Sequence, residues 1–135
     1  MKHVLVTGGC GNIGANVVDL LVERGYAVRV VDLDTPAGRN AAARWGDAVD
    51  VRFGSICNAA LVGDAVTGTD HVIHLAAMVP PGTDIDQAAG YAVNVVATRS
   101  ILRACEAQMA PPRLTFTSTA AIWGHHFEHE RPRTA

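Results

Sequence analysis

Lys2-His3-Val4-Leu5-Val6-Thr7-Gly8-Gly9-Cys10-Gly11-Asn12-Ile13-Gly14 decides the fold of this chain. A short β-rich run meets a glycine cluster and then helical periodicity, which makes a strand, a tight turn and a helix. Glycine serves such a unit in three ways. It allows the turn, it lets backbone approach a phosphate closely, and it lets the helix pack against the strand. The helix then directs its free N–H groups and the positive end of its dipole at an anion. Asp32 closes a second β-rich run, Ala27 to Val31, eighteen residues after Gly14. That is near the spacing at which a carboxylate meets the ribose of a dinucleotide. Glycine cluster, helix start and spaced carboxylate together predict a dinucleotide-binding unit.

Outward from this unit the chain alternates strand and helix, the pattern of a parallel sheet covered on both faces. Ile13, Val17, Leu20 and Leu21 repeat at helical spacing, and Gly25 follows as a C-terminal cap. Val28, Val30 and Val31 mark the second strand, Ala37 to Trp45 a short helix, and Val49 to Phe53 a third strand. Asn58 caps a helix through Val66 that Gly68 ends, and His71 to Leu75 is the fourth strand. Pro80, Pro81 and Gly82 mark an irregular loop. A long helix is expected from Asp84 to Gln108 with two apolar stripes. Ala88, Ala92, Val95, Leu102 and Cys105 form one; Val93, Ala97, Ile101 and Ala104 form the other. A helix apolar on two sides is covered on two sides, so one stripe should face the sheet and the other a partner helix. Leu114 to Thr117 is the fifth strand, and a polar, unpatterned tail begins at Gly124.

Length and composition set the class. With 135 residues the chain suits one domain with a real core. It is 49% hydrophobic and 18% charged with a net charge of −2, the balance of an ordinary soluble globular protein. The basic residues are scattered, which argues against nucleic acid or an anionic membrane as partner. No segment reads as a signal peptide or a membrane span. Cys10, Cys57 and Cys105 are odd in number and widely spaced, as in a reduced cytoplasmic setting.

Four segments carry a family resemblance. Thr7 to Gly14 resembles the TGGxGxIG signature of the extended short-chain dehydrogenase/reductases, the NAD-dependent epimerase/dehydratase family. His74-Leu75-Ala76-Ala77 is similar to that family's HLAA segment at the end of strand four. Asn94-Val95-Val96-Ala97-Thr98 is similar to its N-V-x-G-T, with Ala97 in place of glycine. Phe116-Thr117-Ser118-Thr119-Ala120-Ala121-Ile122-Trp123-Gly124 is similar to its F-S-S-S-x-x-V-Y-G. The resemblance runs the length of the chain and covers the N-terminal part of a longer fold.

The resemblance implies a doubly wound Rossmann-like parallel sheet of strand order 3-2-1-4-5, with residues 1–135 a truncated or partial NAD(P)-binding domain. It implies that Thr7, Gly8, Gly11, Asn12, Ile13 and Gly14 hold the pyrophosphate of NAD and that Asp32 takes the adenosine ribose. Leu75, Ala76 and Ala77 would line the cofactor through their backbone, and Asn94 would support the site. Thr119 falls on the family's active-site Ser/Thr, which hydrogen-bonds the substrate oxygen being oxidised or reduced. Where the family often has an acidic and then an apolar residue after strand three, this chain has Ser55 and Ile56, with Ser55 a partner for adenine. Asp32 favours NAD over NADP, because a carboxylate accepts from a 2′-hydroxyl and repels a 2′-phosphate. No basic residue immediately follows it, and Arg39 is the nearest. Family members commonly pair the long helix into a four-helix bundle, which implies a homodimer through residues 84–108.

Hydride transfer at a carbonyl or alcohol needs a proton donor or acceptor held at the same oxygen. In the family a tyrosine does this, tuned by a lysine four residues on. This sequence holds one lysine, Lys2, and two tyrosines, Tyr26 and Tyr91, with no Tyr-x-x-x-Lys. Tyr26 falls in the turn before strand two, and Tyr91 is expected to have a packing role. Two functions fit. One is the cofactor-binding part of an NAD-dependent epimerase, dehydratase or dehydrogenase acting on a small molecule, with Met78 to Gly82 and the loop after Gly124 facing substrate. The other is a non-catalytic dinucleotide sensor of the atypical short-chain type. His125, His126 and His129 with Glu128 and Glu130 look like a metal cluster, but the segment lacks a fixed framework and reads as a solvated loop with no metal. His74 reads as a buried, hydrogen-bonded histidine, and Trp45 and Trp123 as packing or pocket-wall residues. Cys10, near a helix N-terminus, is expected to have a lowered pKa.

Overall fold

Valine-rich runs set the strands. β1 (His3–Thr7), β2 (Ala27–Asp32), β3 (Val49–Phe53), β4 (His71–His74) and β5 (Arg113–Phe116) form in the computed structural model, which describes residues 1–119. All neighbours pair in parallel, in the order β3-β2-β1-β4-β5. The consecutive residues Val4, Leu5 and Val6 are all buried, so β1 is covered on both faces. On one face Leu5, Val31 and Val72 pack with Val62, Val66 and Ile101; on the other Val4, Val6 and Val30 pack with Ala15, Val18 and Trp45.

α1 (Asn12–Glu23) ends where Gly25 adopts φ +77°, with Gly25 N–H bonded to Val22 and Tyr26 N–H to Leu21. That left-handed residue satisfies the last carbonyls, as expected of a glycine there. The buried face of α1 matches the apolar spacing in part. Val17 and Leu21 pack against the core beside Ala15 and Val18, while Ile13 and Leu20 are exposed. Gly14 and Ala15, which the apolar spacing passes over, are buried where the helix comes close to the sheet.

α2 (Pro36–Ala43) begins at Thr35, whose hydroxyl accepts from Gly38 N–H at 3.0 Å, and it stops short of Trp45. Trp45 is buried beyond it and donates from its indole to Asp19 at 2.7 Å. α3 (Ala59–Val66) is capped by the Asn58 side chain, which accepts from Ala60 and Leu61 N–H, and Gly68 follows with φ +74°.

The expected helix from Asp84 to Gln108 needs correction. A single turn, α4 (Gly82–Ile85), stands apart, and Asp86 leaves helical geometry at φ −134°, ψ 87°. Its carboxylate accepts from Ala89 N–H at 2.9 Å and so starts a new helix, a role that suits a short acidic side chain. α5 (Gln87–Tyr91) continues through a π-helical stretch, Ala92–Ala97, into α6 (Thr98–Glu106). The wider turn inserts a residue and rotates the stripes against each other. Val93, Ala97, Ile101 and Cys105 therefore share the inward face, and Cys105 parts from Leu102, which is 41% exposed. Tyr91 is 56% exposed, so among the described residues it does not take the packing role expected of it. Among the same residues, no helix is long and apolar enough to cross a membrane.

Candidate functional site

The glycine loop sits at the carboxyl end of β1, where backbone meets backbone. Gly8, at φ +72°, donates to Val31 O at 2.9 Å, and a Cβ on it would lie 2.8 Å from Ala76 N. A Cβ on Gly14 would lie 2.0 Å from Gly8 O. Only glycine permits the loop, the start of α1 and the segment after β4 to converge this closely. Gly11 precedes α1 and offers no side chain to cap it, which leaves the first-turn N–H groups facing outward beside the exposed Asn12 and Ile13.

Asp32 ties the loop to β2. One carboxylate oxygen accepts from Cys10 N–H and the other from Leu33 N–H, each at 2.7 Å. An ionised carboxylate has about four acceptor positions, so both oxygens keep capacity for hydroxyl donors. Cys10 behaves opposite to expectation. Burial first, and the Asp32 charge second, push its thiol up to about 11, against a weaker pull from Arg44. Desolvation and the neighbouring carboxylate both disfavour the thiolate form.

Beside Asp32 lies a cleft of about 120 Å³ that gathers Ser55 and Ile56 from after β3 and Ala76 and Ala77 from after β4. Val31, Leu33, Gly54 and Val93 complete it, and the sequence reading assigns none of them to a site. Leu33 and Gly54 flank anticipated residues. Val93 arrives from a helix distant in sequence, and nothing local in its own segment announces it. Leu75, by contrast, turns its side chain to the core and gives its N–H to Thr7 O at 3.1 Å.

A buried relay supports this end of the sheet. Thr98 Oγ1 donates to Asn94 O at 2.9 Å, so it accepts from His74 Nε2–H at 3.0 Å. His74 Nδ1 is then the acceptor for Thr7 Oγ1–H at 2.6 Å, and the Thr7 oxygen accepts Ala76 N–H at 3.3 Å. Every donor finds an acceptor with His74 neutral. Its ring is 2% exposed, and burial lowers its pKa from 6.5. Thr7 is therefore turned inward, and what it presents outward is backbone. Asn94 closes the support by holding Met78 through two bonds of 2.8 Å, to its N–H and from its own amide to its C=O. Thr98, which completes the relay, stands in the N-V-x-G-T-like segment without a role that the motif itself assigns.

Thr119 is exposed beyond the end of β5. Ala120 to Gly124 of the family-like segment, with Trp123, and the cluster His125, His126, Glu128, His129 and Glu130 lie outside the described residues. A larger cavity of about 390 Å³ lies at the amino ends of β1, β2 and β3, among His3, Tyr26, Arg29, Asp47 and Asp50. Parallel α/β sheets bind ligands outside the carboxyl ends of their strands, and among the described residues none of the motif positions lines this cavity.

Known proteins share this arrangement. The sequence model of the NAD dependent epimerase/dehydratase family matches residues 4–135. The chain is 39% identical over 130 residues to a dTDP-glucose 4,6-dehydratase of Mycolicibacterium smegmatis, covering 90% of this chain and 38% of that protein. It is 33% identical over 134 residues to a D-erythronate dehydrogenase of Cupriavidus necator, covering 90% and 40%. The crystal structure of a Thermus thermophilus UDP-glucose 4-epimerase in complex with NAD superimposes with a TM-score of 0.81 at 31% identity, over 98% of this chain and 42% of that one. The chain thus spans about two fifths of the length of these relatives.

Proposed function

The chain belongs to the NAD dependent epimerase/dehydratase family, and we propose that it binds NAD as the cofactor-binding part of an enzyme that oxidises or reduces an alcohol or carbonyl of a small molecule. One observation carries this: an uncapped helix start and the Asp32 carboxylate flank the same glycine loop, with Asp32 bonded to that loop at 2.7 Å through Cys10 N–H. A pyrophosphate needs the first and a ribose needs the second. The backbone from Thr7 to Gly14 holds the pyrophosphate at the N-terminus of α1. Asp32 accepts from the ribose hydroxyls and selects NAD over NADP, while Ser55, Ile56, Ala76 and Ala77 bound the adenosine cleft. When bound, the nicotinamide supplies hydride acceptance or donation. Thr119 offers a hydroxyl to the reacting oxygen, and Met78 to Gly82 face the substrate.

The relatives' own names span dehydratase, dehydrogenase and epimerase, which supports the redox class without choosing within it. The exposed face of Tyr91, Val96 and Leu102 suits pairing of two copies through this helix. Cys10, Cys57 and Cys105 are all free, in keeping with a reducing cytoplasmic setting.

Calorimetric titration tests the cofactor assignment. Saturable one-to-one binding of NAD, weakened in Asp32→Ala, is the expected result. A folded protein that takes up no NAD at millimolar concentration refutes it.

A further inference from the structure

We propose that Asp34 and Arg39 decide which dinucleotide the site accepts, by holding a phosphate-binding guanidinium away from the adenosine ribose. Arg39 donates from Nε and Nη2 to the two carboxylate oxygens of Asp34, at 2.6 and 2.8 Å. Its Cζ also stands over the Phe53 ring, 4.9 Å from the centroid. Phe53 is the in-register partner of Asp32 on the neighbouring strand, so the two side chains share one face of the sheet about 4.8 Å apart at the backbone. The guanidinium is therefore parked beside the carboxylate assigned to the ribose, with its fork turned to a different carboxylate.

The arrangement is not explained by stability. Arg39 and Asp34 are 63% and 53% exposed, and pairs so exposed contribute little to folding. The backbone that carries them is fixed nonetheless. Gly38 N–H is bonded to Thr35 Oγ1, and a Cβ on Gly38 would lie 3.1 Å from Leu33 O. The Arg39 side chain is the more exposed of the pair, and one strand spacing separates the Phe53 ring beneath it from Asp32.

Charge decides the consequence. With Arg39 paired, Asp32, Asp34 and Arg39 sum to −1, and a 2′-phosphate meets net repulsion with no donor fork open to it. Loss of the Asp34 charge brings the trio to 0 and frees a guanidinium whose planar donors match phosphate in bidentate fashion. Asp34 thus acts on cofactor choice through Arg39, as a positioning residue, while Asp32 acts by direct contact.

This inference rests on NAD binding at the glycine loop, and its test separates the two. Wild type, Asp34→Asn and Asp34→Asn/Arg39→Ala are titrated calorimetrically with NAD and with NADP at low salt. In Asp34→Asn the ratio of NADP to NAD affinity should rise about tenfold, the scale of one charge-assisted phosphate contact. Adding Arg39→Ala should remove that gain, and raising the salt should shrink it. An unchanged ratio in Asp34→Asn, or a gain that survives Arg39→Ala, overturns the role given to this pair. Failure of folded wild type to bind NAD overturns the cofactor assignment itself, and this inference with it.

Discussion

Gly14 has no room for a methyl group, since a Cβ there would stand 2.0 Å from Gly8 O. Gly14→Ala must displace either the loop or α1, so it should cost about 1–3 kcal/mol of stability in urea unfolding and abolish NAD binding. Asp32 works differently, because its carboxylate holds Cys10 and Leu33 N–H in the protein alone. Asp32→Ala should weaken NAD binding by about 1.5–3 kcal/mol, the scale of hydrogen bonds to a charged group. Asp32→Asn, which keeps an accepting oxygen, should lose less in the same titration. His74 gives a pH signature. Its folded pKa lies below the 6.5 that unfolding restores, so its contribution is complete above that value and is lost as pH falls through it toward the folded value. Urea midpoints should therefore drop between about pH 7 and pH 5, and His74→Gln should flatten the drop. The Trp45 indole N–H helps hold the Asp19 carboxyl below 3.8, so loss of that contribution falls at lower pH and does not blur the window. The placement of Gly14 and Asp32 was legible in spacing, since turn geometry and strand-end position are local. The His74 relay was half legible: burial follows from a strand end, but Thr7 and Thr98 lie 67 and 24 positions away.

Elements show where local pattern misleads. The helix from Gln87 to Glu106 reads as one amphipathic rod, yet the π-helical turn at Ala92–Ala97 changes its phase. Ile101 and Leu102 are adjacent and equally apolar, but Ile101 is fully buried and Leu102 is not. Ile101→Ala should cost about 2–5 kcal/mol in urea unfolding, and Leu102→Ala less than about 1 kcal/mol at concentrations where the protein is monomeric. Similar losses at the two positions would mean that the helix buries a different face. Strand assignments needed little change because β-branched runs and parallel pairing agree. Helix starts depended on caps, and Asp86 was passed over as one because the apolar spacing runs straight across it.

At the scale of the whole chain, the 135 residues bring the glycine loop and Asp32 together and hold no Tyr-x-x-x-Lys. Thr119 is the single member of the expected active-site trio found in the sequence, and a positioned proton donor is worth roughly 10²–10⁴ in rate. The 135 residues should therefore bind NAD yet yield no NADH over a broad alcohol and sugar panel followed by absorbance. Turnover abolished by Thr119→Ala would reverse that expectation. Pairing through the helix predicts that sedimentation equilibrium detects dimers, and that Leu102→Glu shifts them to monomer without loss of fold.

The strands themselves, the glycine loop, the carboxylate at the end of β2 and the dinucleotide class were all determined by the sequence itself, while the strand order came with the family resemblance. Each is a local signal: a β-branched run, a glycine where no side chain fits, an acid at a set spacing. Tertiary structure alone decided that Val93 lines the cleft beside Ser55, that the Cys10 thiol is raised rather than lowered, and that Arg39 sits on Phe53 paired to Asp34. Those properties depend on burial and on which distant segments meet. Both are set by how segments far apart in sequence pack together, which no local pattern states.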